Sequence, residues 1–291
     1  MEFRVLRYFL AVVREETILA AAESLHVTQP TLSRQLMELE EELGKKLFVR
    51  GKRKNTLTEE GMLLRKRAEE IIELVEKTKA EIKASDDDVS GDVYIGGGET
   101  EGLQFIAGMI KELQKDFPKI VFHVTSGNAE EVTERLDRGL FDFGVIIDPA
   151  DLGKYDFMKL PGHDVWGVLM RRDSPLAKKK SIRHKDLLGL PLIIADQALL
   201  RNKFSGWTGG KYDQLNIVAT YNLLFNASLM VKEGVGYALG LDRIISTSED
   251  SGLCFRPLEP RFEVGLNLIW KKYQVFSKPC RIFIERMQQK L

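Results

Sequence analysis

The stretch "AAAESLHVTQPTLSRQL", residues 20–36, most restricts the fold of this chain because it contains two helical patterns separated by a short break. The first pattern is an apolar stripe at helical spacing, formed by Ile18, Ala21, Ala22 and Leu25. After the break "HVT", Thr28 is suited to the N-cap of the next helix, and Pro30 is suited to its first turn, where a missing N–H costs little. The sequence therefore predicts two short helices joined by a tight connection.

Helical patterns on either side extend this pair to three helices. A preceding helix is predicted by the stripe Leu6, Phe9, Leu10 and Val13. The helix that begins near Thr28 is predicted to end at Gly44, and its apolar stripe consists of Leu32, Leu36, Leu39 and Leu43. Arg34 points almost opposite to these leucines, so the outer face of the third helix is polar and cationic.

The next segment, "LFVRGKRKNTLT", reads as two short extended pieces around a basic turn. Three helices followed by a basic hairpin fit a winged helix-turn-helix, whose third helix enters a major groove roughly 12 Å wide while the hairpin follows the phosphates. A polar helix face or a lysine run alone is usually only solvated, but the combination favours DNA binding. The predicted DNA contacts are Thr28, Gln29, Pro30, Thr31, Ser33, Arg34, Arg50, Lys52, Arg53 and Lys54.

Composition narrows the class of protein. Lys plus Arg and Asp plus Glu both number 43, so contact with nucleic acid must come from a local patch rather than from overall charge. No apolar stretch approaches the roughly 20 residues that span a bilayer, and the charged N-terminal segment is unlike a signal peptide. The sequence predicts a soluble, cytoplasmic protein of about two domains that does not bind a membrane.

A long helical segment follows Thr58. Its apolar positions alternate spacings of four and three, which is typical of a helix that pairs with another helix. The same stripe could instead pack on its own domain, but the other faces are too charged for burial on several sides. We therefore predict dimerisation through Leu64, Ala68, Ile71, Val75 and Ile82. The segment "SDDDVSGD" ends the helix and marks a domain boundary.

Beyond residue 91 strands and helices alternate, which predicts a parallel α/β architecture. The run "GGGET" lacks the following Lys-Ser/Thr of a phosphate loop, so its glycines are better explained by a tight strand-to-helix turn. The four histidines have no metal-ligand spacing and no partnered nucleophile, so no metal, cofactor or enzymatic activity is predicted. Cys254 and Cys280 are too few for a disulfide framework, and buried thiols are the simpler interpretation than a redox switch.

The sequence "LAAAESLHVTQPTLSRQLMELEEELGKKLFVR" together with "LTEEGMLL" resembles the LysR family of bacterial transcriptional regulators. Many positions match in register, which makes the resemblance far more specific than a lone helix-turn-helix pattern. They include Ala21, Ala22, Gln29, Pro30, Ser33, Leu39, Glu40, Gly44, Phe48, Arg50, Thr58 and Gly61. Weaker matches, such as "LDRGLFDFGVI" and "VKEGVGYAL", extend the resemblance over the whole chain.

The resemblance implies a multidomain fold, an all-α winged helix-turn-helix with a long linker helix, followed by a bilobal α/β, periplasmic-binding-protein-like (type 2) effector domain. The implied domains are residues 1–58 for DNA binding, 59–90 for the linker helix and hinge, and 91–291 for effector binding. Within the last, lobe I would comprise 91–162 and 266–291, and lobe II 163–265, with the chain crossing near Gly162 and Leu266.

Family membership also implies a small effector of unknown identity between the lobes. By position, its contacts would be Glu99, Thr100, Ser126, Gly127, Asn128, Asp148, Asp196, Thr220 and Asn222. The predicted partners are duplex DNA and a second copy of the chain, in a homodimer or homotetramer, with RNA polymerase as a further candidate. The alternative is a small-molecule binding protein or enzyme whose N-terminal module serves only oligomerisation.

The chain departs from the family pattern in two places. Small hydroxyl residues usually begin the first effector-domain helix, whereas this chain has Glu99, Thr100 and Glu101, and Gly240 replaces a usual proline. Acidic residues at a helix start most simply match the helix dipole. A sharper hypothesis is that these carboxylates occupy backbone amides and so disfavour an anionic effector.

Overall fold

The computed structural model describes residues 1–51, 54–83, 89–148, 152–196 and 204–291, with only the backbone described at Arg50 and Lys83. The chain divides into two compact units, unit 1 from Met1 to Lys83 and unit 2 from Ala84 to Leu291. No helix in the described part is both long enough and apolar enough to cross a bilayer.

The described residues of unit 1 form four helices and one short hairpin. In chain order these are α1 (Phe3–Glu15), α2 (Ile18–Ser24), α3 (Gln29–Leu43), the strands β1 (Phe48–Arg50) and β2 (Asn55–Leu57), and α4 (Glu59–Lys83). Thr28 is the N-cap of α3, and Gly44 is its C-cap in the left-handed conformation, with φ of 63°. Both predicted helix boundaries are therefore confirmed.

The core of unit 1 explains the apolar stripes of the sequence. Phe9, Ala21 and Leu32, from the three helices α1, α2 and α3, are completely buried against one another. The alanines of α2 allow α1 and α3 to pack closely on it, as their spacing predicted. Packing of this stripe, rather than intrinsic helix propensity, stabilises a helix as short as α2.

Helix α4 corrects one part of the dimerisation prediction. Ala68 is fully buried in the core of unit 1, and Leu64 packs against the same core. Ala68 therefore cannot form part of a partner-facing stripe, because this side of α4 covers its own unit. The large apolar side chains that α4 exposes are Met62, Leu63, Ile71, Leu74 and Ile82.

In unit 2, the strands of the described residues form two sheets. The first has five strands in the order β4-β3-β5-β14-β6, with β3 (Ser90–Gly97), β4 (Lys119–Ser126), β5 (Phe143–Ile147), β6 (Tyr155–Lys159) and β14 (Leu266–Lys271). Packed with it are the helices α5 (Leu103–Asp116), α6 (Ala129–Asp137) and α9 (Lys278–Lys290). We call this half lobe I.

The second sheet has the order β10-β9-β11-β7-β12-β8, and β13 also pairs with β7. Its strands are β7 (Asp164–Arg171), β8 (Ile182–Arg183), β9 (Pro191–Ala195), β10 (Asn216–Tyr221), β11 (Tyr237–Leu241), β12 (Leu253–Glu259) and β13 (Glu263–Val264). The helices that lie wholly within the described residues of this half are α7 (His184–Leu187) and α8 (Leu224–Lys232), and residues 204–207 are also helical. We call it lobe II.

Both sheets are mixed. The predicted parallel pairing is confirmed for β3 with β4 and β5 and for β9 with β10 and β11, and it is wrong for the pairs that β14 forms and for those of β7. In lobe I, β14 runs antiparallel to β5 and β6, and in lobe II, β7 runs antiparallel to β11 and β12. The antiparallel strands are those beside the two crossings between the lobes. Val264 pairs with Asp164 in lobe II, and Leu266 pairs with Ile147 in lobe I, so a single residue separates the two sheets.

Candidate nucleic-acid interface and effector cleft

The first turn of α3 presents a polar surface. Thr28, Gln29, Pro30, Thr31 and Arg34 are exposed, and Ser33 is half-buried. The hydroxyls of Thr28 and Thr31 lie 2.8 Å apart. The buried leucines of the same helix fix its rotation, so these side chains share one outward face. That face offers hydroxyl, amide and guanidinium groups, which suit hydrogen bonds to base edges and phosphates.

Arg34 is held by a neighbour on the same helix. Its Nε donates to Glu38 Oε1 at 2.8 Å, and Gln35 Nε2 donates to Glu38 Oε2 at 2.7 Å. The hydrogen bond to Glu38 and the negative charge of Glu38 raise the pKa of the Arg34 guanidinium above its ordinary value. An exposed i,i+4 ion pair of this kind is weak because water screens both charges, so a nucleic-acid ligand could replace Glu38 at small cost.

The hairpin β1–β2 supplies the second polar surface of unit 1. Arg50 pairs with Asn55 in the antiparallel register, and Gly51 N donates to Lys54 O at 3.1 Å. Lys54 Nζ lies 3.3 Å from Glu16 Oε1 in the α1–α2 connection, and Asn55 N donates to Glu16 O at 2.8 Å. Lys52 and Arg53 lie outside the described residues.

Glu40 connects α3 to the hairpin, although the sequence pattern gave it no role. It is buried and accepts hydrogen bonds from Leu47 N at 2.8 Å, Phe48 N at 3.3 Å and Lys46 Nζ at 2.7 Å. Burial tends to raise the pKa of Glu40, but these donors outweigh it and hold the pKa below its usual value. The signal available in the sequence was a charged residue at a helical position between buried leucines.

The start of α4 is also tied to the hairpin. The Thr58 hydroxyl donates to Lys46 O at 2.7 Å and accepts from Gly61 N at 2.9 Å, which caps the helix. A Cβ at Gly61 would lie 2.2 Å from the carbonyl oxygen of Leu47. Glycine at this position therefore allows α4 to pack directly on the chain that enters β1.

In unit 2, a cleft lies where the two lobes meet. It encloses an empty volume of about 630 Å³, including the part open to solvent. Five of the predicted effector contacts line it, namely Glu99, Gly127, Asn128, Asp148 and Asn222. They come from the ends of β3, β4, β5 and β10, so the strand ends of both sheets form its polar rim.

Four other predicted contacts do not line this cavity. The Thr100 side chain is buried and its hydroxyl donates to Asp164 instead. Ser126 and Thr220 are exposed on strands whose next residues, Gly127 and Tyr221, do line it. Successive side chains of a strand point to opposite faces, so these assignments were one residue out of phase. The fourth, Asp196, is exposed, and its backbone N–H donates to Tyr221 O at 2.9 Å.

The apolar wall of the cleft was missed by the sequence interpretation. It includes Ile147, Trp166, Leu241 and Ile244, with Tyr221 beside them. Burial, and to a smaller extent the charge of Glu99, raises the pKa of Tyr221, whose hydroxyl donates to Leu239 O at 2.6 Å. The local sequence around each residue reads only as a buried strand, so their common location depends on the fold.

Glu99, Thr100 and Glu101, which we call the clasp, reach from lobe I to lobe II. Glu99 Oε2 accepts from Leu224 N at the first turn of α8, at 2.9 Å. Thr100 donates to Asp164, and Arg243 Nη1 donates to Glu101 Oε2 at 2.7 Å. Glu99 therefore caps a helix of the opposite lobe and not α5, its own, as the simpler interpretation held.

Two further features complete the surroundings of the clasp. Burial, opposed in part by the Thr100 hydrogen bond, raises the pKa of Asp164. A Cβ at Gly240 would lie 2.7 Å from Leu224 Cδ1, so the glycine that replaces the usual proline lets α8 pack closely on β11. Cys254 and Cys280 are both buried thiols, and burial raises the pKa of the Cys254 thiol.

Comparisons with known proteins agree with this geometry. The sequence profile of the bacterial regulatory helix-turn-helix proteins of the lysR family matches residues 3–62, and that of the LysR substrate binding domain matches residues 86–291. The uncharacterized HTH-type transcriptional regulator YvbU of Bacillus subtilis is 26% identical over 98% of this chain and 97% of its own length. The HTH-type transcriptional regulator IlvY of Escherichia coli is 28% identical over 86% of this chain and 85% of its own.

Solved structures show the same fold. The crystal structure of CbnR, a LysR family transcriptional regulator, superposes with a TM-score of 0.77 at 20% identity and covers 99% of both chains. Full-length CbnR complexed with its target DNA gives a TM-score of 0.76 at 20% identity over 100% of both chains. This chain therefore belongs to the LysR family of DNA-binding transcriptional regulators, with a helix-turn-helix domain followed by an effector-binding domain.

Proposed function

We propose that the first turn of α3 enters the major groove of a specific duplex and that the basic hairpin follows the adjacent phosphates. Thr28, Gln29, Pro30, Thr31, Ser33 and Arg34 would contact bases and nearby backbone, and Arg50, Lys52, Arg53 and Lys54 would contact phosphates. The observation that carries this proposal is the exposed polar first turn of α3 on an apolar core that fixes its direction.

We further propose that a small molecule bound between lobes I and II controls DNA binding by linkage. The effector would favour one arrangement of the lobes, and bound DNA would bias the same equilibrium in return. Support comes from the cleft, whose polar rim and apolar wall are contributed by both lobes. A change in lobe separation would then alter the effector's own contacts.

Dimerisation through α4 is part of the proposal, with a revised set of residues. Leu63, Ile71, Leu74 and Ile82 are exposed, and helical geometry places them within about one 100° sector of α4. Ile71 and Ile82 are kept from the predicted set, and Val75 is half-buried beside them. Leu64 and Ala68 are removed because both pack on the core of unit 1. A dimer, alone or completed to a tetramer, would present two copies of α3 to one operator in the cytoplasm, where RNA polymerase is the further candidate partner.

A gel shift with fragments of the region upstream of the chain's own gene tests this function. We expect one fragment to be retarded in the presence of excess random duplex, and metabolites of the neighbouring pathway to change its affinity. The alternative, a binding protein or enzyme with an oligomerising N-terminal module, predicts no preference for any fragment. Size-exclusion chromatography with light scattering of Leu74→Glu, compared with the exposed-surface control Glu73→Gln, tests the α4 interface separately.

A further inference from the structure

Two helix N-termini border the cleft, and the protein supplies acceptors to both. At α8, Leu224 N donates to Glu99 at 2.9 Å, and Leu223 N donates to Asn222 Oδ1 at 2.9 Å. At α6, Asn128 and Glu131 form a reciprocal capping box. Free N–H groups at a helix start attract anions. Here a free carboxylate would have to displace Glu99, which is already tethered beside α8, and would meet its negative charge.

The charged side chains that line the cleft also disfavour an anionic ligand. Among the described residues that line it, Glu99 and Asp148 are ionisable acids, and none is lysine, arginine or histidine. Asp148 Oδ1 accepts from Asn267 Nδ2 at 3.0 Å. Within the described part of the chain, Glu99 Oε1 and Asp148 Oδ2 have no hydrogen-bond donor. Two carboxylates with unused acceptor atoms in one cavity favour a bound cation and disfavour an anion.

A third observation identifies a donor that a ligand could satisfy. Trp166 is only 4% exposed, yet its indole Nε1 has no hydrogen-bond partner in the described structure. Buried donors in native proteins almost always have an acceptor, and an unsatisfied one costs about 1–3 kcal/mol. Trp166 lines the cleft, but its Nε1 is itself buried, so an uncharged acceptor on a bound molecule could satisfy this N–H only after neighbouring side chains move apart.

We propose that the effector carries a protonated amine on a compact apolar skeleton, together with a neutral hydrogen-bond acceptor. The ammonium group binds Glu99 and Asp148, the acceptor serves Trp166, and the skeleton packs on Ile147, Leu241 and Ile244. Glu99 takes the position at α8 that the carboxylate of an anionic effector would occupy. This inference rests on the proposed function, because it names the class of molecule that the effector cleft takes.

Probes that share a skeleton and differ only in charge test the proposal. For each of the alanyl, leucyl and phenylalanyl skeletons, calorimetry of the full chain compares the amino-acid amide, which is a cation, with the N-acetyl amide, which is neutral, and the N-acetyl acid, which is an anion. For at least one skeleton, we expect the amide to bind at least about tenfold more tightly than the N-acetyl acid. The neutral probe should bind with intermediate affinity.

Variants locate the preference in the cleft. Glu99→Gln and Asp148→Asn should each reduce the cation's advantage over the anion by about tenfold, whereas Glu249→Gln, at an exposed position outside the cleft, should leave it unchanged. Thermal unfolding of each variant checks that it folds. Since the two cleft substitutions alter different strand ends, loss of one variant to misfolding still leaves the other.

The proposal is wrong if no amide binds more tightly than its N-acetyl acid, or if both cleft variants keep the full preference of the native chain. A gel shift on the same preparation separates this outcome from failure of the proposed function. Specific DNA binding with the wrong order of probes rejects only the ammonium effector. If the probes bind with the expected order of affinities but the chain shows no specific DNA binding, the proposed regulatory function is rejected and the ammonium site stands.

Discussion

The proposed DNA-binding face of unit 1 lies on one helix and one hairpin, whereas the cleft of unit 2 is assembled from strand ends of two sheets. The residues predicted to contact DNA in α3 span Thr28 to Arg34, all within two turns of one helix. The cleft brings together residues as distant as Gly98 and Ile244. A site on one element depends on how that element is supported, while a site between lobes depends on how the lobes are joined.

This difference gives the two sites different weak points. In unit 1 the supports are Glu40 and Gly61, which fix α3 and α4 to the hairpin through backbone atoms. In unit 2 the supports are side chains of the clasp, which reach across the cleft. A substitution in unit 1 whose added atoms contact the backbone should therefore cost more stability than a comparable substitution in unit 2 whose added atoms contact a side chain.

The largest effect is expected for Gly61→Ala. The new Cβ would lie 2.2 Å from Leu47 O, a backbone atom that cannot move without disturbing β1, so unit 1 should lose about 3 kcal/mol of stability. Thermal unfolding monitored by circular dichroism measures the loss. Gly108→Ala is the matched helical control, because the added Cβ has no neighbour within 4 Å. Its unfolding temperature should equal that of the native chain or lie slightly above it.

Replacing Arg34 with alanine should weaken binding to the preferred duplex by about 1–3 kcal/mol and relax the preference at one base position. Binding titrations against single-base variants of the operator measure both effects. The control Arg286→Ala removes a half-buried arginine of unit 2 that pairs with Asp116, and it should change neither the affinity nor the base preference.

The hairpin cations provide the contrasting case. Lys52→Ala or Arg53→Ala should weaken all duplexes alike and flatten the salt dependence by about one unit for each lost phosphate contact. If Arg34→Ala reduced the affinity for specific and random DNA equally, Arg34 would also be a phosphate contact rather than a base contact.

Acid should destabilise unit 1 through Glu40. Its pKa is lowered in the folded state, so its stabilising contribution is complete above the pKa of an unfolded glutamate, about 4.3, and is lost as pH falls through the folded value. Glu40→Gln should cost about 1–2 kcal/mol near neutral pH and reduce the loss of stability on acidification. Unfolding of residues 1–83 within the full chain, followed by hydrogen exchange, measures this; an unchanged acid profile would mean that Glu40 does not titrate as described.

The smallest effect on stability is expected for Gly240→Ala. Its Cβ would meet Leu224 Cδ1 at 2.7 Å, but a leucine side chain can rotate away, so the cost should be about 1 kcal/mol. Thermal unfolding should separate it from Gly61→Ala by about 2 kcal/mol. A Gly240→Ala variant as unstable as Gly61→Ala would mean that the lobe II packing is as rigid as the backbone contact in unit 1.

The predictability of the two sites from sequence follows the same division. Helix boundaries at Thr28 and Gly44 depend on capping residues and on spacing within one segment, which the sequence displays directly. The mixed sheets could not be predicted, because the direction of β14 depends on where the chain returns from lobe II. Strand patterns alone favour the commoner parallel arrangement for alternating strands and helices.

Individual residues illustrate why the rest could not be predicted. Ala68 fits a heptad, yet an alanine suits a close contact with its own unit equally well, and only the packing distinguishes the two. Ser126 and Thr220 are polar residues at strand ends, but a one-residue shift in phase turns the side chain to the other face. Trp166 looks like any aromatic residue of a buried strand until β5, β7 and β11 are brought together.

The central claim, that the first turn of α3 reads duplex DNA, is tested most directly by a competition titration. The labelled fragment retained best from the upstream region is bound at moderate ionic strength, with and without candidate metabolites, and displaced by unlabelled operator or by random duplex. The native chain should prefer the operator by a factor of at least about 10³, and the Gln29→Ala/Arg34→Ala variant should lose most of this ratio while remaining folded. Equal displacement by both competitors of the native chain, or an unchanged ratio in the folded double variant, would contradict the account.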